Sequence, residues 1–493
     1  MGDILSYMSV IITNPLLILL VAVGCFAGIY IGAIPGLSGT MAVSILVGFT
    51  FSWDTFTALA LMIGVFVGVV YGGSRSAILL NIPGAPAAIA TALDGYPLAK
   101  KGQAGKAMGI ATTVSVIGSL FGIIVLVFLA PVISKIAVDF RSVDYLILAM
   151  LGLMMIGSLG GRSLASGIIG ACIGLLIGCI GIDPQTSVKR FTFGITYLGS
   201  GVNFVVAMIG LFGASEALYQ LTLKSECSVK QDAKKILPSV NEIVKHLPLT
   251  IKSAVIGVLT GALPGAGGDI AALLSYDSAK RTTKNSEVPF GEGAVEGVIA
   301  PETANNAAIG GAFIPMLTLG IPGDAITAVL ISALSIHGIN VGPNFMNSLP
   351  EIFWIIVAML LAGAIFLLIF GLTGIKIFTK VSLIPKNILM PIILVLSAIG
   401  AFAIRGSLID IFWMFGFGIF GYLLKKFNFP VAPVVLGIIL TPLLENNFRR
   451  GIMLEGSLGG LFVSVFKSPI SIILFALLVL IIITSVLKRA KKN

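Results

Sequence analysis

The sequence predicts an all-α polytopic membrane protein made of two inverted-topology repeats with broken or re-entrant helices and about 11–15 membrane crossings. Three observations predict it. The 493 residues are 57% hydrophobic and only 11% charged, with a mean hydropathy of +1.08; a soluble chain would carry about 25% charge. A pair of unusual segments occurs twice. Basic residues fall in short segments between apolar runs, where they read as topology signals.

The repeated pair carries the functional signal. Residues 71–94 read YGGSRSAILLNIPGAPAAIATALD, and residues 309–337 read IGGAFIPMLTLGIPGDAITAVLISALSIH. Both run from paired glycines through an apolar stretch to Ile-Pro-Gly and another apolar helix. Each is preceded by a second break, GAIPGLSGT at 32–40 and GALPGAGGD at 261–269. Irregular backbone at membrane depth is tolerated only where protein or a water-filled cavity surrounds it.

Taken in order, a first span at 15–33 breaks at 32–40 and resumes at 41–51. A span at 55–72 enters the first Ile-Pro-Gly stretch, followed by a basic loop at 97–107. Spans near 107–131, 143–161, 165–181 and 195–218 lead to a polar loop at 223–248 holding Lys224, Lys230, Lys234, Lys235 and Lys245. Spans near 249–264 and 294–315 flank the polar segment 275–293. After the second Ile-Pro-Gly stretch come spans near 351–374, 388–403, 408–424 and 429–443, then a last one at 465–487. The positive-inside rule, counted back from the basic tail LKRAKKN, puts the C-terminus inside. Lys425, Lys426, Lys376, Lys380 and Lys386 are then inside, Arg405 outside, and the lysine-free N-terminus outside.

The expected organisation is a first repeat at 10–220 (broken block 15–96, then four helices) and a cytoplasmic linker at 221–248. A second repeat follows at 249–445 (broken block 249–340, then four helices), with a terminal helix at 465–487. GRSL at 161–164 and RGSL at 405–408 occupy matching positions. The N-terminus lacks the basic start and cleavage site of a secretory leader, so no removed segment is expected. Cys25, Cys172, Cys179 and Cys227 lie mostly in apolar runs and read as buried thiols rather than a disulfide frame or metal site. The net charge of +10 is assigned to topology rather than to nucleic acid.

Inverted halves with interrupted helices point to a secondary transporter. A break exposes N–H groups at one half-helix start, suited to an anion, and carbonyls at the other end, suited to a cation. The candidate substrate site comprises Gly36, Ser38, Gly39, Thr40, Ser74, Arg75, Asn81, Pro83 and Gly84 from the first half. The second half gives Gly267, Gly268, Asp269, Asn305, Asn306, Gly320, Pro322 and Gly323, with Na⁺ or H⁺ as coupling ion and a Na⁺ position near Asn305, Asn306 and Asp324. Each candidate has a structural alternative. Glycines serve close helix packing. Arg75 either meets a ligand or pairs with Asp269 or Asp324, Asn81 either meets a ligand or caps a half-helix, and Glu302 is either structural or proton-coupling. No cofactor is expected. With two histidines and no nucleophile beside a base, an enzyme is not expected.

At these residues the chain resembles the large membrane subunit of the tripartite tricarboxylate transporters, the TctA family. The resemblance covers most of the chain. It is strongest in GAIPGLSGT, in YGG…AILLNIPG…DGYPLAKKGQAGKA, in GALPGAGGDIAALLSYDSAKR, and in APETANNAAIGG…LGIPGDAITAVLISAL. It implies an inner-membrane permease importing carboxylates such as citrate with Na⁺ or H⁺, partnered by a small membrane subunit and a periplasmic solute-binding protein. A homo-oligomer is compatible with it.

The chain departs from the family pattern at Arg75, Ser76 and Ala85, and at Asp269 and Asp324. The first half gains positive charge and the second negative, which puts tricarboxylate identity in question more than transport. The alternatives are a different small solute, such as a monocarboxylate or an amino acid, a channel-like permease, or a purely structural subunit.

Overall fold

The computed structural model describes residues 2–34, 37–159, 164–183, 186–222, 238, 240–283, 286–374 and 386–490. It is a helical bundle whose strands, among the described residues, are the two-residue pair Gly181–Ile182 and Lys189–Arg190. The helices are α1 (Gly2–Thr13), α2 (Pro15–Ala33), α3 (Gly39–Thr50), α4 (Thr55–Leu80), α5 (Ala88–Leu98), α6 (Ala104–Ala137), α7 (Ser142–Leu159) and α8 (Leu164–Gly178). Then come α9 (Thr196–Gly199), α10 (Phe204–Met208), α11 (Ser215–Thr222), α12 (Val240–Lys245), α13 (Leu247–Gly261), α14 (Gly267–Thr282), α15 (Glu296–Leu319) and α16 (Ala325–Ile336). Last come α17 (Phe345–Ser348), α18 (Pro350–Thr373), α19 (Lys386–Arg405), α20 (Leu408–Lys426), α21 (Ala432–Glu455), α22 (Leu458–Ser464) and α23 (Pro469–Ala490).

Seven described helical segments are long and apolar enough to cross a membrane, and α3, α7, α8, α13 and α16 contribute shorter apolar stretches. The segment 458–467 meets the last helix at 106°. This is the all-helical, multi-span build that the composition predicts.

The centre of the bundle is α2, α4, α6, α13, α15 and α18. In α15 every residue except Leu319 is buried, as expected of a helix surrounded by others. Small residues bring these helices together. A Cβ on Gly28 of α2 would lie 2.4 Å from the Val65 carbonyl oxygen of α4, and one on Gly68 would lie 2.2 Å from that of Cys25. Likewise, a Cβ on Gly257 of α13 would lie 2.3 Å from the Ala304 oxygen of α15. Without a hydrophobic drive between helices in lipid, such close approach supplies the dispersion energy that holds them.

The outer helices interlock across the chain. The α7–α8 hairpin packs against α21, with Gly174 and Gly437 facing each other so that a Cβ on Gly437 would meet the Gly174 Cα at 2.8 Å. The α19–α20 hairpin packs against 204–222, where a Cβ on Gly210 would meet the Met414 oxygen at 2.5 Å. Each hairpin therefore receives the helix that closes the other half of the sequence.

Several sequence expectations need correction. The first break is narrower than 71–94: α4 continues helically through Gly72, Gly73, Ser74 and Arg75 to Leu80. The second is narrower too, because α15 runs through Gly310 and Gly311 to Leu319. Gly72, Gly310 and Gly311 sit in close helix contacts and Gly73 packs against Ala85 of the break, so both pairs serve packing rather than irregular backbone. The basic loop at 97–107 is helical, with a π turn at Ala99–Gln103 bent at Gly102 (φ 76°). The expected 195–218 span is displaced to Phe204–Thr222, and most of 445–464 is helix rather than loop. Cys172 is exposed, unlike buried Cys25. Cys227, Lys224, Lys230, Lys234, Lys235, Lys376, Lys380 and residues 161–163 lie outside the described residues.

Candidate functional site

The two Ile-Pro-Gly breaks have the same local structure. Helix α4 ends at Asn81, which is left-handed (φ 56°), and α15 ends at Gly320, also left-handed (φ 70°). Asparagine and glycine are the residues that tolerate this conformation at a helix end. The next N–H then reaches back six residues in both: Ile82 to the Ser76 carbonyl at 3.4 Å, and Ile321 to that of Pro315 at 3.3 Å. The following glycines are fixed by contact. A Cβ on Gly84 would lie 2.0 Å from the Gly32 oxygen and 2.9 Å from the Gly73 Cα. One on Gly323 would lie 2.6 Å from the Gly261 oxygen and 2.5 Å from the Ala312 Cα.

The breaks are joined to one another. The Gly265 N–H donates to the Gly323 carbonyl at 2.8 Å. Gly267 (φ 59°) approaches so closely that a Cβ would meet that of Asp324 at 2.9 Å. Asp269, in the first turn of α14, accepts from the Ala87 N–H at the start of α5 at 3.0 Å. Many protein atoms surround Asp269, yet its accessible surface is open, on the same face of α14 as exposed Leu273 and Asp277. Asp324 is the N-cap of α16 and closes a capping box with Thr327, accepting from the Thr327 N–H at 2.7 Å.

Both half-helix starts expected to receive an anion thus already carry a carboxylate of the chain. Ser38 also caps, accepting from the Met41 N–H at 3.1 Å. Gly39 lies against Val69 and Ile326, and Thr40 is buried in the first turn of α3. Asn81 is exposed, and the local part it plays is to end α4. Pro83 and Pro322 lie within the two breaks, and Gly268 lies against Asn305. Gly36 is outside the described residues.

Arg75 does not pair with Asp269 or Asp324. It is buried, and its Nη2 donates to the carbonyls of Phe370 at 2.8 Å and Gly371 at 2.7 Å, at the C-terminal end of α18. A cation there is favoured by the helix dipole. The guanidinium also lies 5.4 Å from the Tyr71 ring centroid and 6.0 Å from that of Tyr30, whose hydroxyl donates to Gly374. Among the described residues its Nε and Nη1 meet no hydrogen-bond acceptor.

Asn305 and Asn306 point in different directions. Asn305 Nδ2 donates to the Val70 carbonyl at 3.0 Å and ties α15 to α4. Asn306 Nδ2 donates to Ser115 Oγ at 2.8 Å and to the Glu302 carbonyl at 3.0 Å. Beside it is the buried Glu302 carboxylate, which accepts from the Thr91 hydroxyl on α5 and from Ser115 Oγ on α6 at 3.2 Å. Ser74 is adjacent, its hydroxyl donating to the Tyr71 carbonyl at 2.5 Å.

Thr91 and Ser115 carried no sequence signal, being hydroxyls inside apolar helices. Asp94 was also missed. It is buried and accepts from the N–H groups of Gly291 (2.8 Å), Gly293 (2.9 Å) and Ala294 (2.8 Å), and from the Tyr276 hydroxyl (2.8 Å). The DGYP string that contains it was the available cue. A cavity of about 410 Å³ lies elsewhere, at a polar surface lined by Lys101, Lys106, Glu242, Lys245 and Glu287. There Lys245 bonds Glu287 at 2.6 Å and holds its carboxyl below the usual range.

A multi-span helical bundle with two like-built helix breaks bonded to one another is the build of a membrane transport subunit, not of an enzyme. The chain belongs to the tripartite tricarboxylate transporter TctA family, whose profile matches residues 18–436. It is 36% identical over 457 residues to an uncharacterized 52.8 kDa protein of the TAR-I ttuC′ 3′ region of Agrobacterium vitis, covering 92% of this chain and 90% of that one. A second Agrobacterium vitis protein, of the TAR-II ttuC′ 3′ region, is 38% identical over 239 residues, covering 48% of this chain and 97% of its own length. No solved structure matches.

Proposed function

We propose that this TctA-family subunit is a secondary active permease that imports a small carboxylate anion by cation symport. It works in the bacterial inner membrane, N-terminus outside and C-terminus inside, with a small membrane subunit and a periplasmic solute-binding protein. The observation that carries the reading is the like construction of the breaks at Asn81–Gly84 and Gly320–Gly323, each with a left-handed helix end and a bond from the next N–H back six residues. Two inverted repeats of this kind, 10–220 and 249–445, would supply two near-equivalent packings and hence alternating access. The solute would lie among Ser38–Thr40, Ser74, Asn81–Gly84, Gly267–Asp269, Asn305 and Gly320–Gly323. The coupling ion would bind on the Asn306 side.

A second reading is favoured by one observation: Asp269 and Asp324 already occupy the starts of α5 and α16. A further anion there meets two carboxylates, whereas an amino acid or another less anionic solute would not be repelled in the same way.

One experiment separates the two. Purified protein is melted with mono-, di- and tricarboxylates and with amino acids, each with and without Na⁺. Stabilisation by a di- or tricarboxylate only with Na⁺ supports the first reading, and stabilisation by an amino acid supports the second. No response to any solute, with no saturable gradient-driven uptake in cells, would defeat both.

A further inference from the structure

We infer that Glu302, Asn306, Ser115 and Ser119 form a binding site for a dehydrated monovalent cation of the Na⁺ type, at the contact of α15 and α6. The inference deepens the symport reading, on which its coupling role rests.

The argument starts from the amide of Asn306. Its Nδ2 faces the Glu302 backbone carbonyl at 3.0 Å. A carbonyl can only accept, so the amide cannot be turned over, and its orientation is fixed by chemistry. Asn306 Oδ1 is thereby left fully buried with no donor among the described residues. Leaving a buried acceptor unmatched is costly.

The same bonds assign Ser115. Its oxygen receives the Asn306 N–H at 2.8 Å, so its own proton is given to Glu302 Oε2 at 3.2 Å. Glu302 is buried and is reached by hydroxyls, while no lysine, arginine or histidine pairs with it among the described residues. Ser119 stands one turn beyond Ser115 on the same face of α6. Its hydroxyl is buried and has no partner among the described residues. The helices are in register there: a Cβ on Gly118 would lie 2.3 Å from the Thr303 oxygen, and one on Gly122 would lie 2.5 Å from the Ala307 oxygen.

One carboxylate, one unmatched amide oxygen and two serine oxygens thus lie buried along the facing sides of α15 and α6, each helix giving two of them one turn apart. All are hard oxygen donors, and a single carboxylate balances a single positive charge. A divalent ion would retain a buried unit of charge. No group of three or more histidine, cysteine or acidic side chains converges among the described residues, which disfavours a transition-metal site. The nearby Asp324 is committed elsewhere, to its capping box. Thr91 on α5 also reaches Glu302, so an ion at this point would couple α15 to the helix that follows the first break.

The test is thermal melting of the purified full-length protein in NaCl against KCl and choline chloride at equal ionic strength, with no solute. The expected result is a saturable, Na⁺-specific rise of about 2 °C or more. Glu302→Gln should abolish it, and Ser119→Ala and Asn306→Ala should each weaken the half-saturating Na⁺ concentration at least tenfold. Glu287→Gln at the polar surface should keep it. Identical melting of the unmodified protein in Na⁺ and K⁺ would overturn the proposal. So would a Na⁺ response that survives Glu302→Gln, or, should that variant not fold, one unchanged by both other substitutions. A stabilisation that follows pH and ignores Na⁺ would make the group a proton carrier and equally overturn it. A protein stabilised by Na⁺ that accumulates no solute would keep the site and remove the transport reading.

Discussion

The Asp269 carboxylate accepts the Ala87 N–H at 3.0 Å, joining the break before α14 to the break before α5. A side chain from one half of the sequence thereby completes a helix start in the other. If this bond is a capping contact, Asp269→Asn should melt close to the unmodified protein, because the amide oxygen still accepts. Asp269→Ala should lose about 1 kcal/mol. If Asp269 also meets the solute, both variants should lose uptake at least tenfold. Melting and uptake measured on the same preparations separate these outcomes.

The matched glycines give a second expectation. Gly84→Ala and Gly323→Ala each place a Cβ against backbone that cannot retreat, 2.0 Å and 2.6 Å from a carbonyl oxygen. Each should destabilise by about 1–3 kcal/mol, seen as parallel drops in melting temperature. A large loss in one with none in the other would show that the two breaks are not equivalent in the folded protein.

Arg75 separates packing from ligand contact. Arg75→Ala deserts the carbonyls of Phe370 and Gly371 and leaves a gap between α4 and α18. A loss of about 2–4 kcal/mol is expected, and Arg75→Lys should recover part of it, since an ammonium reaches carbonyls without the guanidinium's fork. Unchanged melting with abolished uptake would instead assign the free Nε and Nη1 to the solute.

Much of this was legible in the chain. The places where helices stop were marked by Ile-Pro-Gly and by the residues before it, because proline and a left-handed asparagine or glycine end a helix by local chemistry alone. The extent of the breaks was not. Gly72–Gly73 and Gly310–Gly311 read as irregular backbone, yet they are helical: partner helices use the missing side chains of Gly72, Gly310 and Gly311 for close contact, and Ala85 of the break packs on Gly73. That use depends on a distant segment. The exchange of outer helices, with 204–222 on α19–α20 and α21 on α7–α8, is likewise a long-range choice that no local pattern encodes. Asn306 was visible as a buried amide, but Ser115 and Ser119, its neighbours in space, look like ordinary helix-packing serines.

Asp94 offers a stability prediction independent of transport. It gathers three backbone N–H groups at the entry of α15 and the Tyr276 hydroxyl. Asp94→Ala should cost about 3 kcal/mol or more, because those donors lose their acceptor in a buried place, whereas Tyr276→Phe should cost about 1 kcal/mol. Melting curves of the two variants check the order.

The central claim is that the joined breaks form the solute site, and substrate-protected labelling at position 269 tests it most directly. Cys25, Cys172, Cys179 and Cys227 are replaced by serine or alanine, and Asp269→Cys is introduced. The protein is then treated with a water-soluble thiol reagent in the presence of each carboxylate or amino acid. The account predicts modification at 269 and slower modification with the one solute class that also stabilises the unmodified protein. Free modification at the same rate with every solute would place the transported molecule elsewhere and contradict the account.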